Sequence, residues 1–228
     1  MESNPLIILI HAVPERLWYV NEFMVPELEA QGADLIQIYN DVEHLGNLEA
    51  CLRAFESRDG DGETWHLQDD VLLCRDFVQR ARAIESPVAY GFACRNFGDR
   101  LDAWGRVYAP DAWNSFQCIK IPNTYARECA EWVRSGTWQK ESQNHELAIL
   151  HDIKQGDDTF FHEFMYSRHW DTVVENIRPN LVEHIDWMLG GSTIQKWRDY
   201  IARAEYWEDQ ELLDETRARI RARAAKLG

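Results

Sequence analysis

The stretch Thr64-Trp65-His66-Leu67-Gln68-Asp69-Asp70-Val71 sets two adjacent carboxylates behind an apolar strand and ahead of a helical pattern expected from about Leu72. Hard divalent ions such as magnesium and manganese take oxygen ligands, keep several waters and share their sites with substrate phosphates, so one or two protein carboxylates suffice. That chemistry suits a nucleotide-diphosphate donor. The alternative is that Asp69 or Asp70 caps the next helix by accepting its orphan backbone N–H bonds.

A second acidic pair stands in Gly156-Asp157-Asp158-Thr159-Phe160-Phe161-His162-Glu163, again at the head of a helical pattern. One of these carboxylates can serve as a general base toward an attacking hydroxyl, or the pair can simply cap the helix. The run His162-Glu163-Phe164-Met165-Tyr166 has Tyr166 where a zinc-protease helix needs a second histidine, and His169 comes seven residues after His162. At ~1.5 Å of rise per residue those two imidazoles lie ~10 Å apart on a helix, so zinc hydrolysis is disfavoured. His184, in Asn180-Leu181-Val182-Glu183-His184-Ile185-Asp186, precedes the glycine-rich Gly190-Gly191-Ser192-Thr193. The imidazole can complete a manganese shell and the loop can offer N–H groups to phosphate, or the histidine can be structural. Neither a Gly-x-x-x-x-Gly-Lys phosphate loop nor a Gly-x-Gly-x-x-Gly fingerprint occurs, which argues against P-loop NTPases and Rossmann dehydrogenases.

These residues need a scaffold. Leu6 to Ile10 is a continuous apolar run, as in a strand buried on both faces, and Leu17, Val20, Met24 and Leu28 follow at helical spacing, with Pro26 dividing the segment and Gly32 ending it. Leu35 to Tyr39 reads as a second strand closing on Asn40-Asp41, and Leu48, Cys51, Leu52 and Phe55 fill one face of a second helix. A third strand ends at Gln68, a helix runs to about Ile84, Val88 to Phe92 is another apolar run, and Gln117 to Ile121 is a strand before a helix capped by Thr124. The alternation is that of an α/β sheet. From Thr193 onward the pattern is one long helix, giving an expected division into a catalytic domain, 1–192, and a helical extension, 193–228, packed on it. In such sheets ligands gather beyond the carboxyl ends of the strands, where Ala12-Val13-Pro14-Glu15-Arg16, Asn40-Asp41 and Gln68-Asp69-Asp70 fall. Asp41 can accept from a base or ribose or make a plain turn, and Arg16 can meet a diphosphate or form a surface pair.

The 228 residues suffice for a full core, and a formal charge of −15 repels polyanions at long range. Five cysteines, odd in number and set in apolar patterns, fit reduced thiols and a cytoplasmic location. No stretch approaches the roughly 20 apolar residues a membrane span needs, and the opening residues lack a signal-peptide pattern, so a soluble, unexported protein without membrane partners is expected.

Taken together, HAVPER, HLQDDV, QCIKIPNTYARECAEWV, GDDTFFHEF and PNLVEHID with its GGS sequel resemble small phage-type GT-A glycosyltransferases. There is a looser similarity to the lipooligosaccharide and collagen hydroxylysine glycosyltransferase family. The resemblance runs from about Leu6 to Ser192 and implies a GT-A-like mixed, mostly parallel sheet flanked by helices, with a helical C-terminal extension. It implies a UDP-sugar donor, manganese or magnesium, and single inverting transfer to a hydroxyl. By the same resemblance Asp70 matches the family's metal-binding aspartate with Asp69 beside it, and His184 matches the late metal-ligand histidine. Asp158 or Asp157 matches the base; Ala12, Arg16, Asp41, Gln68, Asp69 and Ser192 are the residues expected to face the nucleotide-sugar. Gln68 departs from the pattern, standing where many relatives carry an acid. The phage likeness implies a host cytoplasm and a hydroxymethylated pyrimidine in DNA as acceptor, with a glycan or protein hydroxyl, or nucleotide binding without turnover, as alternatives. Trp104, Tyr108 and Trp113 could then stack on an extruded base, or simply pack in their loops. The Arg217, Arg219, Arg221, Arg223 and Lys226 cluster could touch phosphates, or be a solvated helix face partnered by Glu208, Asp209, Glu211, Asp214 and Glu215.

Overall fold

The computed structural model describes residues 5–92, 105–108, 116–190 and 207–227. Strand β1, Ile7–Ala12, lies between β2, Leu35–Asn40, and β3, Glu63–Gln68, parallel to both, with Ile8 beside Ile36 and Trp65. Beyond β3 come β7, Cys118–Pro122, then β5, Val88–Tyr90, β8, Val173–Asn176, and β6, Gly105–Tyr108. Strands β7 and β6 run antiparallel to their neighbours, and β1, β2, β3, β5 and β8 share one direction. The sheet is therefore mixed and mostly parallel, and it is flanked by helices, as expected from the sequence.

Alternation along β1 and β3 divides the core. Ile8, Ile10, Trp65 and Leu67 face a layer that includes Val20, Met24 and Leu28, together with Phe77 and Val78 of α4, Phe77–Ala83, and Leu213 and Ile220 of α9, Gln210–Leu227. On the opposite face Tyr90, Ile119 and Ile121 pack with Leu48, Cys51, Leu52 and Phe55 of α3, Asn47–Glu56, and with helices α5, Asn123–Arg134, and α8, Asp157–Arg168. The segment divided by Pro26 changes hydrogen-bond pattern just ahead of it, being π-helical over Val20–Met24 before the α-helix Val25–Ala30. Proline supplies no N–H to the helical ladder, and the looser turn lies where the ladder is interrupted.

Two local expectations are corrected. Val71–Leu73 begins no helix: it forms β4, antiparallel to β9, Val182–His184, and the next helix starts only at Phe77. Those three apolar residues read alike for either element, and the pairing that decides lies far along the chain. Thr124 does not cap α5, which starts at Asn123 without a side-chain cap. The Asn123 amide instead accepts from Thr64 Oγ1 at 2.7 Å and donates to the Asp59 carbonyl at 2.8 Å, tying the helix start to β3.

Gly46 stands at the head of α3, against the Lys154 loop that leads into α8. Its φ of +90° belongs to the left-handed region, and an added Cβ would lie 2.7 Å from the Lys154 carbonyl oxygen, which also accepts from the Leu48 N–H. Gly46→Ala is expected to lower stability by about 1–3 kcal/mol through strain and overpacking. A urea titration checks this, and an unchanged midpoint would contradict the close approach.

Candidate functional site

Parallel pairing ends β1 and β3 side by side, with His11 opposite Gln68, so the residues that follow each strand meet. After β1 the chain enters a 3-10 turn, Pro14–Arg16, which Pro14 opens at little conformational cost because its φ is preset. The Val13 N–H donates to Asp69 Oδ2 at 2.7 Å, and Arg16 Nη1 donates to Asp69 Oδ1 at 3.0 Å and also to Asp70 Oδ2. Arg16, Asp69 and Asp70 are all buried. Neither carboxylate caps a helix.

The small sheet brings in the third member. Val71 stands opposite His184, and the Ile185 N–H donates to the Asp70 carbonyl at 2.8 Å, which locks β9 to the end of β3. His184 Nε2 consequently lies 3.3 Å from Asp70 Oδ2, while Nδ1 is 3.8 Å from Asp186 Oδ1, beyond direct hydrogen bonding. Tyr19 supports the same turn from below, donating its hydroxyl to the Val71 carbonyl at 3.0 Å.

Charge divides the aspartate pair. Burial works to raise both, but the His184 imidazole and the Arg16 guanidinium hold the Asp70 carboxyl below the usual range. Asp69 is pushed up to about 6 by burial and by the Asp70 charge, against the pull of Arg16 and the Val13 N–H. Both carboxylates are therefore largely ionised at neutral pH, and Asp70 keeps its charge further into acid than Asp69. Its Oδ1 is buried and makes no hydrogen bond, an oxygen with its lone pairs unspent.

That oxygen, with an imidazole nitrogen beside the same carboxylate, is a donor set that fits manganese or magnesium sharing its shell with water and phosphate. Among the described residues no group of three His, Cys, Asp or Glu is arranged to hold an ion by protein ligands alone. Asp70 and His184 are the residues that would hold it.

The remaining expected site residues separate. The Asp41 carboxylate spends both oxygens on the Leu45 N–H, at 3.1 and 2.9 Å, which is the turn role weighed in the sequence. Its own N–H donates to the Ala12 carbonyl at 2.8 Å, and the Ala12 side chain is wholly buried in the core, so the Ala12 methyl presents no surface to a ligand. Gln68 is half-buried at the strand end, its N–H donating to the Gln117 carbonyl at 3.1 Å. His11 sits between the Asp41 turn and His66; burial lowers its pKa to about 4 against the pull of Asp41 and Asp70, so it is neutral at physiological pH.

Asp157 and Asp158 open α8 after Gly156. Asp157 is buried, accepts from Asn47 Nδ2 at 2.6 Å and leaves Oδ2 without a partner; burial and the Asp158 charge push its pKa up to about 8. Asp158 is half-buried, accepts from the Thr159 N–H at 2.8 Å and acts electrostatically on Tyr90, the last residue of β5. The pair thus stands at the carboxyl edge of the sheet, the edge that carries Asp70. Ser192, Trp104 and Trp113 lie outside the described residues, as do the side chain of Tyr108 and the first part of the expected C-terminal helix.

The arginines of α9 meet aromatic rings. Arg217 lies over Trp187, Arg219 over Phe23 and Arg223 over Trp18, at 4.7, 4.4 and 3.9 Å from the ring centres, and Arg223 also pairs with Glu22 at 2.8 Å. Trp187 follows the His184-to-Asp186 segment, so the helix braces the outer wall of the site.

No family model and no curated protein matches this chain. Among solved structures it is similar to the glycosyltransferase GlyE of Streptococcus pneumoniae TIGR4, at 11% identity over 77% of this chain and 46% of that one, with a TM-score of 0.43. The chain thus spans under half the length of GlyE. It is also similar to the galactosyltransferase LgtC in complex with donor and acceptor sugar analogs, at 11% identity over 91% of this chain and 94% of that one, TM-score 0.43. A third is a Drosophila β-1,4-galactosyltransferase 7 mutant in complex with manganese, UDP-Gal and xylobiose, at 11% identity over 82% and 75% of the two chains, TM-score 0.42. These likenesses are to glycosyltransferases.

Proposed function

We propose that the protein is a metal-dependent glycosyltransferase that moves a sugar from a nucleotide-sugar, a UDP-sugar, to a hydroxyl acceptor. The observation that carries this reading is the meeting of Asp70 and His184 over 3.3 Å at the carboxyl edge of a mostly parallel sheet, with a buried, unpartnered Asp70 oxygen. Manganese or magnesium bound there supplies charge stabilisation to the departing diphosphate. Asp69 fixes the Val13 backbone and Arg16, and Arg16 brings a guanidinium to the place where a diphosphate would arrive. Gln68 and Asp41 border the nucleotide end, Asp41 by shaping the turn rather than by direct contact, and Ser192, outside the described residues, is the sequence's candidate contact to phosphate.

Of the second acidic pair, Asp158 is the better placed base, being half-buried where Asp157 is enclosed and bonded to Asn47. In a single inverting displacement the acceptor oxygen bonds to the anomeric carbon as the bond to the diphosphate oxygen breaks, and Asp158 takes the hydroxyl proton. Residues 1–192 carry this chemistry, and within the extension 193–228 the described helix Gln210–Leu227 braces them.

For the acceptor, a hydroxymethylated pyrimidine in DNA is the specific candidate from the sequence, but three of the four arginines expected to meet phosphates, Arg217, Arg219 and Arg223, are turned onto rings. A glycan or protein hydroxyl accommodates the charge of −15 more readily. No described helix is long and apolar enough to cross a membrane. The test is release of UDP from a panel of UDP-sugars with manganese, in the presence of simple glycans, hydroxymethylated DNA or unmodified DNA. Manganese-dependent release stimulated by one acceptor is expected; folded protein that turns over none of the donors, with or without acceptor, would overturn the reading in favour of a binding module.

A further inference from the structure

The position of Arg16 is not explained by diphosphate binding alone. A guanidinium serving only an incoming phosphate would stand open to it, whereas this side chain is 4% exposed and its Nη1 lies on Asp69 Oδ1 at 3.0 Å and on Asp70 Oδ2. Asp70 Oδ2 is the oxygen that faces His184 Nε2 at 3.3 Å. One carboxylate therefore already holds a fixed cation at the place where a divalent ion would bind. Two cations within a few ångströms of each other repel, and burial leaves that repulsion poorly screened. The backbone of Arg16 is pinned by its N–H donating to the Val13 carbonyl at 3.0 Å, so withdrawal must come from rotation of the side chain.

We infer that Arg16 is a resident counter-ion of the Asp69–Asp70 pair, exchanged for a divalent cation when a nucleotide diphosphate arrives to receive the displaced guanidinium. This rests on the proposed function in that ion and diphosphate share the site. A divalent ion alone must dislodge Arg16 and leave it without an anion. Ion and diphosphate together offer the guanidinium a partner it can grip with two N–H donors. Their binding is coupled, and thermodynamic reciprocity requires that each strengthen the other by the same factor. The exchange makes the site respond to the metal–nucleotide pair more than to free metal.

The test is calorimetric titration of Mn2+ into the whole chain, with and without UDP, for the wild type and Arg16→Gln. In the wild type UDP is expected to tighten Mn2+ binding about tenfold or more, within the usual span of coupling between sites. In Arg16→Gln, Mn2+ alone is expected to bind about tenfold tighter than to the wild type, with the further effect of UDP reduced below about threefold, because the competing charge is gone. If the variant binds Mn2+ alone no tighter while the wild type binds Mn2+ with UDP, the counter-ion role is wrong and the proposed function stands. If neither protein binds Mn2+ under any condition, both fall. Should Arg16→Gln not fold, Arg16→Lys carries the same test, since the lysine ammonium stands one bond nearer the backbone than Arg16 Nη1, the nitrogen that bridges both carboxylates, and so holds them less closely. A gain of about threefold for Mn2+ alone is then expected on the same electrostatic grounds, and wild-type affinity would overturn the inference.

Discussion

Asp70→Asn is expected to lower kcat/KM for sugar transfer by about 10²–10³-fold, the scale on which removing one electrostatic stabiliser of a developing charge acts. The substitution keeps the volume of the side chain and removes the negative charge, including that of Oδ2, the oxygen that faces both His184 Nε2 and Arg16. Folding should survive, because Asp69 retains its bonds to Arg16 and to the Val13 N–H. Some stability is nevertheless lost. His184 and Arg16 hold the Asp70 carboxyl low against burial, so its ionised form stabilises the fold above the ordinary aspartate range, and that contribution disappears as pH falls. Steady-state kinetics alongside a melting curve separates the two effects, and a folded variant with full activity would remove Asp70 from the site.

A second large effect is expected from Asp157, with the opposite sign in pH. An unfolded aspartate titrates near 3.9, whereas burial and the Asp158 charge place Asp157 at about 8 in the folded chain. Between those values the folded state binds the extra proton, so unfolding free energy falls as pH rises from about 4 to about 8. Asp69, at about 6, adds a similar slope confined to the lower part of that window. Asp157→Asn imitates the protonated form, and its amide oxygen can still accept from Asn47 Nδ2, which stands at 2.6 Å from the carboxylate now. Urea titrations from pH 5 to 9 should show the wild type losing about 1.4 kcal/mol per unit between about pH 6 and pH 8 and levelling beyond it, while the variant stays level, until it is the more stable protein at the alkaline end. Parallel curves would contradict the raised Asp157.

Much of this site is readable in the sequence because its chemistry lies at strand ends. The apolar run ahead of Gln68-Asp69-Asp70 is enough to place both carboxylates at the carboxyl edge of a sheet, and the alternation of strands and helices is enough to find β1, β2 and β3 along the chain, though not which of them lies in the middle. Who meets whom across that edge is decided by pairings with no local signature. Val71–Leu73 joins Val182–His184 through a ladder between distant segments, and without that ladder His184 is one histidine among eight. Arg16 was readable as a cation for phosphate, yet its use as a bridge across Asp69 and Asp70 depends on the 3-10 turn that aims it.

Asn47, which holds Asp157 from the start of α3, carries no signal in the sequence: an asparagine after a glycine reads as a turn until the Asp157 carboxylate is brought to it. The basic run of α9 reads by composition as a solvated or phosphate-facing surface, since nothing in its spacing reveals that Trp18, Phe23 and Trp187 await it. Ala12 fails as a contact for the opposite reason: the strand that brings it to the edge also turns its methyl into the core.

The account depends most directly on whether Asp70 and His184 grip a divalent ion together with a nucleotide diphosphate. Calorimetric titration of UDP in the presence of Mn2+ into the wild type, Asp70→Asn and His184→Ala measures that grip without requiring an acceptor. The account predicts saturable, Mn2+-dependent binding by the wild type that either substitution weakens by at least about tenfold, as loss of a metal ligand should. Equal UDP affinity in all three proteins, or binding indifferent to Mn2+, would contradict it.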